Sequence, residues 1–332
     1  VMRILAGDET GLVKVVDFEK RKATKWGRQD RQRAVSYMAW AGPKADPESL
    51  VCCAYRHGEI QVWDPDTTHR SHTLSGCFAD VVGLHAVHGE HVVAASADGT
   101  VALHDWEDGA KMIEFSTGGP LARMRASPAG ANLLAVGGKE HDLQIWDVNS
   151  QSTIFRARNA KPVFLGMRQP IWIRDLQFNG DSGNVIVTGT SYHQVRVYDT
   201  RAKRRPIQSF DVNEHPVTAL SVTSDGGSVI VADTIGTLSR VDLGTGRIIG
   251  GFKACAGSVR SVECHPTAPV FAAAGLDRYV RIFDLGSRQV MHRAYLKQRL
   301  TCMLLSSEVS LTDAGADSES ESEDDEDGEE EG

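Results

Sequence analysis

Cysteine and histidine are the residues of this sequence that can bind a metal ion or act as nucleophiles. The six cysteines form no CxxC pair, as is typical of a protein in a reducing compartment; they are Cys52, Cys53, Cys77, Cys255, Cys264 and Cys302. Cys264-His265 is a candidate ligand pair, but a fourth ligand at a suitable spacing is missing. Three histidines between residues 85 and 91 surround one hairpin, where a hydrated turn is favoured over a zinc site. We therefore predict mostly core thiols and no metal site.

Motifs for nucleotide binding or covalent catalysis are absent from the sequence. It contains neither GxGxxG nor GxxxxGK, which cradle phosphates, nor the GxSxG turn that presents a nucleophilic serine. Asp98, Asp233 and Asp277 each lie in a tight turn before an apolar strand, where a carboxylate accepts backbone N–H groups. These aspartates are predicted to be structural, so we expect a binding protein without catalytic residues or cofactors.

Arginine is the one residue type whose placement predicts a site. Four short apolar strings, IRDLQF, VTALSV, VRSVEC and LTCMLL, align so that Arg174, Thr218, Arg260 and Thr301 are equivalent. Two arginines at equivalent positions, joined by His193 and Arg278 from adjacent turns, predict a cationic rim for carboxylate or phosphate groups. The alternative is that Arg174 pairs with Asp175, and Arg278 with Asp277, inside the fold.

Two long connections carry further arginines that are candidates for macromolecule binding. Arg28, Arg31 and Arg33 follow Trp26. Arg168 lies in an insertion that spans residues 156–170 and carries an apolar Val-Phe-Leu stretch. Long connections in an otherwise economical fold are usually functional or disordered. A separate basic run, RAKRR at residues 201–205, is predicted to lie on the opposite, outer side of the fold.

These candidates are positioned by an internal repeat that recurs seven times. Each copy is an alternating apolar run that ends in Asp, at Asp17, Asp64, Asp105, Asp147, Asp199, Asp242 and Asp284. Successive spacings are 47, 41, 42, 52, 43 and 42 residues. A period near 40–45 residues with Trp-Asp endings, kept literally at residues 63–64 and 146–147, is the signature of WD repeats. The sequence therefore predicts an all-β, seven-bladed WD-repeat β-propeller.

The strand pattern within the repeats predicts how the ring closes. In the sixth repeat, four strands are expected at residues 217–222, 229–232, 237–241 and 247–251. The first repeat lacks its first strand, whereas LTCMLL at residues 300–305 is left over after the seventh. Pairing of this C-terminal strand with the N-terminal blade would remove two exposed sheet edges. We expect one propeller domain over residues 1–306, monomeric within a larger complex.

The remaining residues, 307–332, are expected to form a disordered acidic tail. Twelve acidic residues and no Lys or Arg lie between residues 313 and 332, which leaves 32 acidic residues against 36 basic ones in the rest of the chain, a balance of about +4. Ser318, Ser320 and Ser322 each precede an acidic residue by three positions, which predicts phosphorylation by acidophilic kinases. No secretory signal or apolar stretch of about 18 residues occurs, so no membrane association is expected.

Several strings are more specific than the general repeat and carry a resemblance to one family. They are DETGLVK (8–14), IWIRDLQF (171–178), YHQVRVYD (192–199), AGSVRSVECHP (256–266), GLDR (275–278) and YLKQ (295–298). The chain resembles the WD repeat-containing protein seventy-four family, whose fungal counterparts are Nsa-type ribosome biogenesis factors. The resemblance extends across the propeller and is densest in blades five to seven.

The resemblance implies a nucleolar factor that assembles the precursor of the large ribosomal subunit. It implies binding to pre-ribosomal assembly factors and ribosomal RNA, and release by an AAA-type ATPase. The acidic tail departs from the basic C-terminal tails that are common in such factors. Two other functions stay open: a substrate receptor of a ubiquitin ligase or a chromatin-associated adaptor, whose channel mouth is often acidic, and an enzyme, which needs convergent carboxylates or histidines.

Overall fold

The computed structural model describes residues 2–18, 20, 22–76, 80–87, 90–160, 169–253 and 255–308. They form twenty-eight β-strands and one short 3-10 turn, Pro47–Ser49. Among them, no helix has the length and apolar character needed to cross a membrane. The strands are grouped in seven four-stranded antiparallel sheets, the blades of a β-propeller, which confirms the predicted fold.

The first four blades, each given from its inner to its outer strand, have the following bounds. Blade one is β28 (Leu300–Leu305), β1 (Arg3–Asp8), β2 (Val13–Asp17) and β3 (Lys22–Trp26). Blade two is β4 (Val35–Trp40), β5 (Val51–Tyr55), β6 (Ile60–Trp63) and β7 (Arg70–Leu74). Blade three is β8 (Val81–Val87), β9 (His91–Ser96), β10 (Thr100–Asp105) and β11 (Lys111–Ser116). Blade four is β12 (Leu121–Ser127), β13 (Gly130–Gly138), β14 (His141–Asp147) and β15 (Ser152–Arg156).

The last three blades follow the same order. Blade five is β16 (Ile173–Asn179), β17 (Val185–Thr190), β18 (Gln194–Asp199) and β19 (Gln208–Asp211). Blade six is β20 (Val217–Val222), β21 (Ser228–Asp233), β22 (Leu238–Asp242) and β23 (Ile248–Phe252). Blade seven is β24 (Val259–Cys264), β25 (Val270–Gly275), β26 (Tyr279–Asp284) and β27 (Val290–Tyr295). In blade six, the observed strands differ from the predicted bounds by about one residue.

The repeated Asp lies at the end of the third strand in every blade, where it organises the turn to the fourth strand. Asp242 Oδ1, for example, accepts the Thr245 backbone N–H at 2.6 Å, and Asp64 Oδ1 accepts the Asp66 N–H at 2.8 Å. Such local hydrogen bonds favour a turn over further extension. The residue that marks each repeat in the sequence therefore ends the strand at that point.

The hydrophobic core consists of seven clusters, each lying between two adjacent blades. Between blades six and seven, for example, Phe252, Phe271 and Phe283 have ring centroids 4.7–5.8 Å apart. Second strands such as β21 and β25 are buried at every position because both of their faces pack against neighbouring blades. Each blade is therefore stabilised by two neighbours.

The ring closes through the two ends of the chain, as the sequence predicts. β28 pairs antiparallel with β1, with Leu304 opposite Leu5 and Met303 opposite Ala6. Thr301 Oγ1 donates to the Val35 carbonyl of blade two at 2.6 Å, or alternatively to the Gly7 carbonyl of blade one at 3.1 Å. Each inner strand lies against the inner strand of the next blade around the whole ring.

Side chains from one blade satisfy backbone N–H groups on the inner edge of the next. Asp175 Oδ2 accepts the Leu220 N–H at 3.0 Å, and Glu263 Oε2 accepts the Leu305 N–H at 2.8 Å. The Cys264 N–H donates to Ser221 Oγ at 2.9 Å in the same way. Because an unpaired sheet edge is a liability, these contacts protect the channel wall and link adjacent blades.

Candidate functional site: the mouth of the central channel

The second residue of every inner strand forms a β-bulge. In blade five, Ile173 lies opposite Thr190 and Asp175 lies opposite Gly189, so the intervening residue has no partner in the ladder. The same shift occurs in the other six blades. The bulged residues are Ser36, Val82, Ala122, Arg174, Thr218, Arg260 and Thr301. Since a bulge redirects one side chain out of the pleat, these seven residues form a ring at the end of the channel where the inner strands begin.

Arg174 and Arg260 are the two charged members of this ring. Arg174 is partly buried, and Arg260 is exposed. Burial lowers the pKa of Arg174, and the neighbouring guanidinium groups of Arg260 and Arg123 lower it further. Among the described residues, no carboxylate lies within ion-pair distance of Arg174 or Arg260. The mouth therefore holds an excess of positive charge on one side, where an oxyanion would be stabilised.

Arg123 and Arg125 extend the cationic lining below the mouth. They occupy the third and fifth positions of β12, on blade four. Arg123 Nε lies 2.8 Å from Asp175 Oδ1, and the nearest nitrogen of Arg125 lies 3.9 Å from the same oxygen. Both guanidinium groups also lie over the Tyr37 ring, 5.3 and 5.9 Å from its centroid. Asp175 therefore pairs with blade four rather than with Arg174, so the predicted alternative pairing of Arg174 is absent.

Glu263 is the second carboxyl group in the channel and lies on blade seven. Burial raises its pKa to about 7, although Arg125 and the Leu305 N–H both favour the ionised form. Asp175 raises the pKa further because it is a like charge. The channel therefore contains a carboxyl group that titrates near neutral pH.

Two aromatic rings at this end of the propeller, Trp172 and Tyr279, have cations on their faces. Lys139 Nζ and the Arg174 guanidinium lie 4.9 and 5.6 Å from the Trp172 ring centroid. Arg281 lies 4.7 Å from the Tyr279 ring, which also contacts the Tyr295 ring at 5.0 Å. These two rings are therefore less open to the stacking of nucleic acid bases, whereas Tyr192, in the turn before β18, is 36% exposed.

Comparisons with known proteins agree with this architecture. The family model described as "WD domain, G-beta repeat" matches residues 246–284. Over 93% of the chain and 82% of the relative, the sequence is 38% identical to WD repeat-containing protein 74 of Homo sapiens. The chain belongs to this family. It is also 28% identical to ribosome biogenesis protein nsa1 of Schizosaccharomyces pombe, over 92% of the chain and 89% of that protein. The resemblance noted in the sequence is thus confirmed.

In this member of the WD repeat-containing protein 74 family, the topology brings the predicted rim residues to one face of the propeller. His193 lies in the turn between β17 and β18, and Arg278 lies in the turn between β25 and β26. Both adopt the left-handed backbone conformation, with φ values of 50° and 70°. Arg278 donates to the Tyr295 hydroxyl at 3.3 Å, whereas Asp277 forms an ion pair with Arg281. The predicted alternative pairing of Arg278 with Asp277 is therefore also absent.

The three arginines between β3 and β4 have different environments. Arg28 and Arg31 are exposed, and neither has an ion-pair partner within the described ranges. Arg33 instead pairs with Glu59 at 3.1 Å and lies 5.0 Å from the Tyr55 ring centroid. Arg33 therefore has structural contacts that its two neighbours lack. Arg168 and the three candidate phosphorylation sites, Ser318, Ser320 and Ser322, lie outside the described residues.

The candidate metal ligands of this family member have other contacts. His265 Nδ1 accepts the Ala268 backbone N–H at 2.9 Å, and Cys264 Sγ lies 3.6 Å from the Ser221 carbonyl oxygen. Burial raises the pKa of the Cys264 thiol to about 12, which opposes the thiolate form that metals need. Within the part of the chain that the structure describes, no three His, Cys, Asp or Glu side chains are grouped to hold a metal ion.

Sequence alignment of the inner strands could have found Arg123 and Arg125. They are the third and fifth residues of the inner strand LARMRAS. Asp175 and Gln177 occupy the same two positions in the inner strand IRDLQF. Lys139 and Trp172 carry no such signal, because they meet through an isolated bridge between two connections. We therefore define the channel mouth as Arg174, Arg260 and the Trp172–Lys139 pair.

Proposed function

We propose that this chain is a non-enzymatic scaffold in the biogenesis of the large ribosomal subunit. The observation that carries the proposal is the similarity of 92% of the chain to a relative named ribosome biogenesis protein nsa1. Membership of the WD repeat-containing protein 74 family supports the same role. A nucleolar or nuclear location follows from this proposal.

We propose that the scaffold contacts its partners through the channel mouth. Two guanidinium groups without a counter-charge, Arg174 and Arg260, support this assignment, because such groups are costly to keep together unless a ligand neutralises them. The proposed surface extends over further residues at the same end of the blades: His193, Arg278, Arg28 and Arg31. The proposed set also includes Arg33, which is already paired with Glu59, and Arg168.

The proposed partners are pre-ribosomal assembly proteins and ribosomal RNA of large-subunit precursors, with release from the particle by an AAA-type ATPase. We expect protein contacts to supply specificity and RNA contacts to be mainly electrostatic. The propeller acts as a monomer within the larger complex. Neither a cofactor nor a catalytic step enters this function.

The competing proposal is a substrate receptor or a chromatin-associated adaptor that captures a basic peptide. Such a peptide needs an acidic mouth, whereas Asp175 and Glu263 lie deeper in the channel and already contact the arginines and backbone N–H groups around them. The charge of the mouth therefore favours an anionic partner.

Affinity purification of the tagged full chain from cells at moderate salt tests the proposal. We expect large-subunit precursor RNA and assembly proteins in the purified material. The double variant Arg174→Glu/Arg260→Glu is expected to recover at least about tenfold less precursor RNA and assembly protein than the wild type. The reason is that one charge-assisted hydrogen bond contributes about 1.5–3 kcal/mol.

The matched control is Arg70→Glu/Arg247→Glu, which makes the same change in charge at exposed positions on blades two and six. It should recover the wild-type amount of precursor RNA. Recovery of ubiquitin-ligase subunits or histones without precursor RNA would overturn the assembly function. If both double variants lost precursor RNA equally, the assignment of the channel mouth as the contact surface would be wrong.

A further inference from the structure

A groove on the outer wall of the propeller lies between blades four and five. Its volume is about 430 Å³. One wall is the outer strand of blade four, residues 153–156, and the other is the connection from β18 to β19, with Thr200, Ala202, Lys203 and Arg204. This connection spans residues 200–207, whereas the equivalent connection of blade six spans residues 243–247. The groove thus arises from a connection that is longer than its equivalent in blade six.

Backbone contacts hold the extended connection against blade four. The Arg158 N–H donates to the Arg204 carbonyl at 2.7 Å, and Arg204 Nε donates to the Arg156 carbonyl at 2.7 Å. On the opposite wall, Ile154 lies at a bulge between β14 and β15 and is 60% exposed. These contacts fix the two walls relative to each other, so the groove exists before any ligand binds.

Three cationic side chains, Arg156, Lys203 and Arg204, line this groove, and three more, Arg158, Arg201 and Arg205, lie within two residues of them in the chain. Arg201 pairs with Asp199 at 3.0 Å. Within the described ranges, no carboxylate lies in ion-pair distance of the other five. Arg205 donates one terminal nitrogen to the Asn159 carbonyl at 2.8 Å, and the contact of Arg204 uses only its Nε. The terminal nitrogens of Arg204 form no hydrogen bond or ion pair with the described residues.

We propose that this groove binds the phosphate backbone of RNA. Arginine, which supplies five of the six cations, presents a planar fork that matches phosphate oxygens. The groove offers one exposed apolar side chain, Ile154, and no exposed aromatic ring. It therefore lacks both a stacking platform for bases and the deep apolar anchor that a peptide partner needs, and binding is independent of sequence.

The position of the groove separates it from the channel mouth. The connection between the third and fourth strands lies at the opposite end of the blade from the bulged residues of the inner strands. RNA in the groove therefore leaves the mouth free for a protein partner. The proposal rests on the proposed function, in which the scaffold contacts both kinds of partner, and assigns RNA to one surface.

The test is fluorescence anisotropy of a short labelled single-stranded RNA with the full chain over a range of salt concentrations. The triple variant Arg156→Ala/Arg158→Ala/Lys203→Ala removes three side chains that form no hydrogen bond or ion pair with the described residues, so folding should be retained, and an unchanged melting temperature checks this. We expect the slope of log K against log salt to become shallower by about 2, since each phosphate contact on a single strand contributes about 0.7.

The control is Lys44→Ala/Arg70→Ala/Arg247→Ala, which removes three exposed cations outside the groove and the channel mouth and should leave the slope at the wild-type value. An unchanged slope in the triple variant, or a larger change in the control, would overturn the groove assignment. Polyglutamate serves as a second probe. If the triple variant lost polyglutamate binding but kept RNA binding, the groove assignment would also be overturned, in favour of an acidic peptide as the partner. The groove could also bind RNA in this assay while the tagged chain recovers no precursor RNA from cells. That result would overturn the assembly function but would support the groove as an RNA-binding surface.

Discussion

Arginines near the channel mouth are of two kinds, those with a counter-charge and those without. Arg123 lies 2.8 Å from Asp175, which is buried, whereas Arg174 faces other guanidinium groups. The sequence offered the opposite interpretation, because Arg174 and Asp175 are adjacent. Adjacent residues on a strand point to opposite faces, and the bulge at Arg174 separates them further. Chain proximity is therefore a poor guide to ion pairs in this ring.

This difference predicts opposite stability effects for two matched substitutions. Arg123→Gln should lower the free energy of unfolding by about 3 kcal/mol, because it removes the nearest cation from a buried carboxylate. Arg174→Gln should leave it unchanged or raise it by up to about 1 kcal/mol, because it relieves repulsion between cations. Urea unfolding of both variants measures the effects. Equal destabilisation would mean that Arg174 is structural rather than available to a partner.

Glu263 predicts a dependence of stability on pH. Its pKa is about 7 in the folded chain, against an ordinary value of 4.5, so the folded state retains a proton that the unfolded state loses. The resulting stability is present below pH 4.5 and is lost as the pH rises through 7. Relative to Glu263→Gln, the wild-type free energy of unfolding should fall over this range by at most about 3 kcal/mol. A difference between the two chains that stays constant from pH 4.5 to 8 would contradict this origin.

At the scale of elements, a buried cation holds the stem of the long connection between blades four and five. Arg196, on β18, is 2% exposed and donates to Asn159 Oδ1 at 3.0 Å and Gln169 Oε1 at 3.1 Å. It also donates to Gln194 Oε1 at 2.8 Å. Asn159 and Gln169 precede and follow the stretch 161–168, so one guanidinium group links both ends of this connection.

Substitution of Arg196 should release this stem. Arg196→Met removes the donors and leaves three amide oxygens with fewer partners, so we expect a loss of about 2–4 kcal/mol in the free energy of unfolding. Hydrogen exchange should increase in residues 157–160 and 169–172, while blades one and two keep wild-type protection. The control is Arg201→Met on the exposed connection of the same blade. Uniform exchange across all blades in Arg196→Met would contradict a local role.

The repeat ends, the strand order and the closing strand could all be predicted from the sequence, because each depends on local patterns. The Asp that ends each repeat forms hydrogen bonds within its own turn, so it marks the same position in every blade. The partners of Arg196 lie 37 and 27 residues away in the chain and are neutral amides. The groove beside Arg204 likewise depends on the packing of one blade against another. Such non-local contacts leave no periodic signal.

At the scale of the whole molecule, stability depends on a closed ring in which every blade has two neighbours. Each hydrophobic cluster is shared between adjacent blades, including the cluster of blades seven and one that contains Ile4, Leu300 and Met303. A blade without its neighbour would expose one apolar face. The propeller should therefore unfold as one unit.

Truncation tests this cooperativity and the proposed domain boundary. A chain that ends at residue 299 lacks β28 and should lose its cooperative unfolding transition, because β1 and the cluster around it have no inner strand. The control ends at residue 308, the last described residue, and should melt within a few degrees of the full chain. A cooperative transition in the shorter chain would show that six complete blades suffice.

Ring closure by β1 and β28 also sets the order of events during synthesis. β1 is made before β28, which follows almost 300 residues later. At about 5–20 residues per second, the edge of β1 that does not pair with β2 lacks its partner for roughly 15–60 seconds. During that interval, the edge of β1 is open to pairing with another chain. A chaperone that covers the N-terminal strand during translation would therefore increase the yield of the propeller more than one that acts after release.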